Sequence, residues 1–224
     1  MLSDEYKRYI EQIAAKIRRE VSGIMREKFN NNTPYKNTVE NFKKIIEICG
    51  GTFGKLPDEI SDDVKAVYIS LGKREYKVLH KEKGITAAHL AHELGHHYIA
   101  KKGQSPLGTT FFYKLRWDNK AINAIQREIE KEDLGIEKLE PHGLTDEEYY
   151  HHEMAAEYFA AAFMFPADIL IAAVEKARNG KEFDAVEVAN ELNRVYGLDF
   201  HGYDVQSRWR TLQFIKATNK EDYE

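Results

Sequence analysis

Only one cysteine, Cys49, occurs in the 224 residues. That excludes an internal disulfide and any metal site built from a cysteine cluster, and it suits a reducing compartment. Nor is there an excess of basic charge: the formal net charge is −4 and the pI about 6.2. Domains that bind nucleic acid usually carry a basic excess, so direct nucleic-acid binding is not expected. No window reaches the run of about eighteen apolar residues that a membrane span needs. The opening MLSDEYKRYIEQIAAKIRRE carries charges throughout and lacks the apolar centre of a signal peptide, so a cytoplasmic protein with no membrane partner is expected. There is no internal repeat, and no low-complexity tract beyond Asn30-Asn31-Asn32. What remains is an ordinary globular composition, 42% hydrophobic and 31% charged. The chain is long enough for one substantial core, with or without a helical appendage.

Helical periodicity dominates. Tyr6, Ile10, Ile13, Ile17, Val21, Ile24 and Met25 recur at three- and four-residue steps over 3–29, an apolar stripe with Lys and Arg mostly on the other side. The Asn-Asn-Asn-Thr-Pro run at 30–34 ends that helix. A second helix is predicted to start after Asn37, with Glu40 as its capping-box partner, and to stop at Gly50-Gly51. Val67, Ile69 and Leu71 alternate before Gly72-Lys73, and Tyr76 and Val78 alternate after it, the pattern of a short antiparallel hairpin. Further helices are predicted at about 86–102, 119–133, 145–164, 167–178, 184–196 and 203–218. The one at Thr145 opens with a capping box closed by Glu148. The expected architecture is α+β: an N-terminal amphipathic helix (1–35), a core with a small antiparallel sheet (36–166), and a C-terminal helical segment (167–224).

Chemistry concentrates in Ala-His-Glu-Leu-Gly-His-His at 91–97. Residues four apart on a helix lie on one face, so the imidazoles of His92 and His96 can converge on one ion. Zinc takes imidazole nitrogens at about 2.0–2.1 Å and, in catalytic sites, keeps a position for water. Glu93 projects beside such an ion, where its carboxylate can take a proton from the attacking water and pass it to the leaving amine. An HExxH string arises by chance in roughly 4% of chains of this composition, so its surroundings must carry the argument. They do: the motif follows a hairpin, and Leu90, Leu94 and Ile99 supply a buried face. Gly95 costs the helix about 1 kcal/mol relative to alanine, which points to close approach by another element.

A catalytic zinc needs a third protein ligand. The candidates are His89, His97, His142, His151, His152, Glu153 and Glu157. His97 faces away from the His92/His96 side, and His89 falls a turn too early. Residues 151–166 form a nearly apolar, alanine-rich stretch that opens with titratable groups, and a buried carboxylate needs a partner. Glu153 is therefore read as the third ligand, and Glu157, four residues on, as the group that orients a ligand imidazole. An oxyanion donor could come from Tyr149, Tyr150, Tyr158, His151 or His152, and the sequence does not choose among them. Glu157, His152 and Tyr149 stand as the candidates for supporting the ligands or touching substrate. His80, His142 and His201 read as surface or structural histidines.

The pairing of AHELGH (91–96) with ExxAExFAAxxMFP (153–166) resembles the ImmA/IrrE family of metallo-endopeptidases, and VANELNRVYG…DVQSRWRTLQF resembles that family's closing segment. The resemblance spans roughly 38–218. It implies a zincin-like fold, one catalytic zinc ion held by His92, His96 and Glu153, and Glu93 as the catalytic base. It also implies an intracellular enzyme that cleaves a helix-turn-helix repressor and so induces stress-response or mobile-element genes. Three departures stand out. Position 157 is Glu where the pattern usually has Asn, and position 89 is His where a small hydroxyl residue is usual. The gap between the motifs is also long, implying an insertion at about 104–143 that contains Phe111, Phe112, Tyr113 and Trp117. Two competing readings are a zinc-stabilised, non-catalytic regulator that keeps the ligands without needing Glu93, and a DNA-binding protein using Arg194, Arg208 and Arg210 on its last helices.

Overall fold

A computed structural model describes residues 2–29, 37–72, 75–100, 119–131, 145–178, 184–196 and 201–221. Its elements run α1 (Asp4–Phe29), α2 (Val39–Ile48), β1 (Gly51–Lys55), β2 (Ala66–Gly72), β3 (Glu75–His80), α3 (Ala87–Ala100) and α4 (Asn119–Glu130). They continue with α5 (Asp146–Met164), α6 (Ala167–Arg178), α7 (Ala185–Tyr196) and α8 (Gly202–Glu221). The fold is α+β and helix-rich, with one small sheet. Two compact units divide the chain: Met1–Leu2 with Phe42–Ala160, and Ser3–Asn41 with Ala161–Glu224.

In the first unit β2 and β3 form the expected antiparallel hairpin, with Val67 opposite Leu79 and Ile69 opposite Lys77. The sheet is nevertheless mixed. β1 pairs parallel with β3 from Gly51↔Tyr76 to Lys55↔His80, giving the order β1-β3-β2. Two glycines make that pairing possible. A Cβ on Gly51 would stand 2.6 Å from the Tyr76 ring, and one on Gly54 2.6 Å from Cδ2 of Leu79. One face of the sheet joins a buried cluster with α4, in which Val67, Ile69 and Leu79 meet Ala124, Ile125 and Ile129. α4 is the described part of the stretch at 104–143, and it belongs to this core. Phe111, Phe112, Tyr113, Trp117 and His142 lie outside the described residues. The other face presents Tyr68 and Tyr76, and α3 packs there, burying Leu90, Leu94 and Ile99. Each such side chain contributes about 1.5–3 kcal/mol.

The second unit is helical. Ser3 caps α1, accepting the Tyr6 N–H at 3.2 Å, and the stripe Ile10, Ile17, Val21 and Met25 is buried. Arg18 donates to the carbonyl of Phe163, and Asn37 Nδ2 to that of Met164 at 2.9 Å. Both carbonyls are last-turn groups that a helix leaves without internal partners. Asn37 is therefore not the cap of α2. Thr38 is, its Oγ1 accepting the Asn41 N–H at 3.2 Å. Asp184 caps α7, and α7 packs on α8. Arg208 pairs with Glu11 (Nη2–Oε2 2.8 Å) and Arg194 with Glu191, so two of the three arginines considered for DNA contacts are engaged within the protein. Among the described residues no single helix is long and apolar enough to cross a membrane.

Candidate metal centre

The helix that carries the first motif is fixed at its head and on its back. At its head the Thr86 N–H donates to Nδ1 of His89 at 3.1 Å, so His89 serves as a capping acceptor. On its back His97 is buried at 1% exposure, stacked 3.9 Å from the Tyr76 ring and 3.3 Å from the Tyr68 hydroxyl. Both excluded histidines thus have other partners. Neither Tyr68 nor Tyr76 was legible as part of this support.

The second motif lies on α5, whose capping box forms as the sequence predicts: the Thr145 N–H donates to Glu148 at 2.8 Å, and the Glu148 N–H to Thr145 Oγ1 at 3.3 Å. Where α3 and α5 meet, a Cβ on Gly95 would stand 2.8 Å from the carbonyl oxygen of Ala156 and 3.0 Å from its Cα. The two helices touch backbone to backbone, and Gly95 permits it. Ala156 escaped the sequence analysis, although Gly95 signalled that some partner must exist.

This crossing brings Glu153 to the imidazole pair. The Nε2 atoms of His92 and His96 lie 3.0 Å apart, with their rings at 84°. Glu153 Oε2 is 3.2 Å from His92 Nε2, and its Oε1 is 3.4 Å from His96 Nε2. Tetrahedral ligands at about 2.0–2.1 Å from an ion are separated by about 3.3–3.4 Å, so this triangle has the dimensions of one face of a metal cage. His92 Nδ1 lies 3.1 Å from Glu157 Oε2. A carboxylate only accepts, so Nδ1 holds the proton there, and a neutral His92 turns its Nε2 lone pair towards His96 Nε2 and Glu153. With His96 presenting its Nε2 lone pair as well, a cation among these three groups would satisfy all of them. His92, His96 and Glu153 could hold a metal ion.

Without an ion, a proton takes that place. Burial opposes charging His92, but its hydrogen bonds to Glu153 and Glu157 prevail and push its pKa up to about 10. Burial likewise raises the Glu153 carboxyl, yet the facing His92 and His96 hold it well below the usual carboxylate range. Glu93 is 1% exposed and adds its negative charge near His92.

Tyr149 is half-buried one turn before Glu153, on the same face of α5. His151, His152 and Tyr158 are half-buried on that helix and Tyr150 is exposed. His80 is buried beside the Lys81 carbonyl at 2.9 Å, and His201 is exposed. No family model matches the chain, and a search of curated proteins finds no relative.

Proposed function

We propose that the chain is a cytoplasmic zinc-dependent endopeptidase of the ImmA/IrrE kind, hydrolysing a peptide bond in a helix-turn-helix transcriptional repressor. The observation that carries this reading is the convergence of His92, His96 and Glu153 with Glu93 buried alongside. Two imidazoles and one carboxylate at tetrahedral spacing suit zinc. When bound, zinc supplies Lewis acidity, polarising a carbonyl and making water acidic enough to attack near neutral pH.

The remaining work falls to this chain's own groups. Glu157 holds His92 in the tautomer that directs Nε2 inwards. The Glu93 carboxylate accepts the proton of the attacking water and delivers it to the leaving amine, and its burial keeps that proton from bulk solvent. Glu93→Gln tests the assignment, because the amide is isosteric but cannot take up a proton. The variant should keep one zinc per chain and lose at least about a hundredfold in cleavage of the repressor substrate. Cleavage at the wild-type rate would refute the mechanism. Tight repressor binding by the wild type with no product would favour the zinc-stabilised regulator instead.

A further inference from the structure

Exposure rises steadily across the metal centre. The side chain of His96 is 1% exposed, that of His92 12%, Glu153 20% and Glu157 78%. On α5 the helical rotation explains why Glu157 is more open than Glu153. Each helical residue is turned by about 100° from the last, so Ala156 lies about 60° to one side of Glu153, against Gly95. Glu157 lies about 40° and Tyr150 about 60° to the other side. Tyr150 and Glu157 therefore share the flank opposite Ala156, the flank from which Glu157 reaches Nδ1 of His92.

Tyr150 is 62% exposed, and among the described residues only Val186, in the other unit, is a comparably exposed large hydrophobic side chain. Side chains on a helix lean towards its N-terminus alike, so Tyr150 stays about 4.5 Å along the axis before Glu153, at the mouth of the same flank. A phenol ring in water adds little to folding. Beside the open flank of a metal centre it offers an aromatic surface to whatever approaches.

We propose that Tyr150 is a specificity-determining residue: a large apolar or aromatic side chain of the peptide substrate packs on its ring, next to the scissile bond. This rests on reading the site as a metallopeptidase. The ring rather than the hydroxyl carries the contact, and stacking of this kind strengthens binding by about five- to tenfold.

Two hydroxamates test it by calorimetry on the zinc-loaded protein. Acetohydroxamate anchors to the ion with no side chain, whereas phenylalanine hydroxamate adds a benzyl group. Tyr150→Ala should weaken phenylalanine hydroxamate by about five- to tenfold and leave acetohydroxamate and zinc content unchanged, while Tyr150→Phe should keep both affinities. Equal binding of phenylalanine hydroxamate to wild type and Tyr150→Ala overturns the inference. Failure of acetohydroxamate to bind the zinc-loaded wild type removes the metallopeptidase reading and this inference with it.

Discussion

Glu157 Oε2 meets Nδ1 of His92 at 3.1 Å, across 65 residues of chain. Since the Glu157 side chain is 78% exposed, it acts by orienting the ring and fixing its tautomer, with water screening much of its charge. Glu157→Ala should weaken zinc binding by about ten- to a hundredfold, and Glu157→Gln, whose amide oxygen still accepts, by less. Competition against a fluorescent chelator measures both. Wild-type affinity in the alanine variant would contradict this role.

Gly95 and Ala156 lead to a second prediction. Alanine at position 95 gains about 1 kcal/mol in helix propensity. Its methyl group, however, meets backbone atoms that cannot swing aside, and overpacking costs about 1–3 kcal/mol. Gly95→Ala should be destabilised by up to about 2 kcal/mol in urea unfolding of the metal-free protein, and should bind zinc more weakly as Glu153 is displaced. A variant more stable than the wild type would show that the helices do not depend on this contact.

The protonation of the His92–Glu153 pair sets the pH dependence of the metal-free protein. His92 has its pKa raised from 6.5 to about 10, so its stabilising pairing is full below about 6.5 and is lost as pH rises through about 10. Glu153 is shifted downwards, so its contribution is full above its ordinary 4.5 and is lost as pH falls towards its lowered value. The pair therefore stabilises metal-free protein most between about pH 4.5 and 6.5. Zinc must displace the His92 proton, so zinc affinity should rise at least about tenfold per unit between pH 6.5 and 10, with at least about one proton released per ion near pH 8. Calorimetric titration in two buffers of different ionisation enthalpy counts that proton. Zero release would mean that His92 is not the protonated partner.

Local signals carried most of what the sequence could tell. The i, i+4 spacing of His92 and His96, the Thr145/Glu148 capping box and the apolar stripe of α1 each depend on neighbours within a few residues, and each forms. Glu153 was legible because a carboxylate in an alanine-rich helix demands a partner. What escaped is non-local. β1 contains Gly51 and Gly54, which weaken a strand signal, and its partner β3 lies more than twenty residues away in parallel register. Asn37 reads as a helix cap, yet its amide is drawn to the Met164 carbonyl, leaving Thr38 to cap α2. The stack of His97 on Tyr76 likewise needs the sheet to exist before it can be seen.

The central claim is that two imidazoles and one carboxylate hold a single ion. The direct test is a zinc titration of metal-free wild type beside Glu153→Ala, with bound metal counted after dialysis. The wild type should retain one zinc per chain, and Glu153→Ala should lose at least about a hundredfold in affinity while remaining folded. A wild type that retains no zinc, or a Glu153→Ala variant that retains it as tightly, would contradict the account.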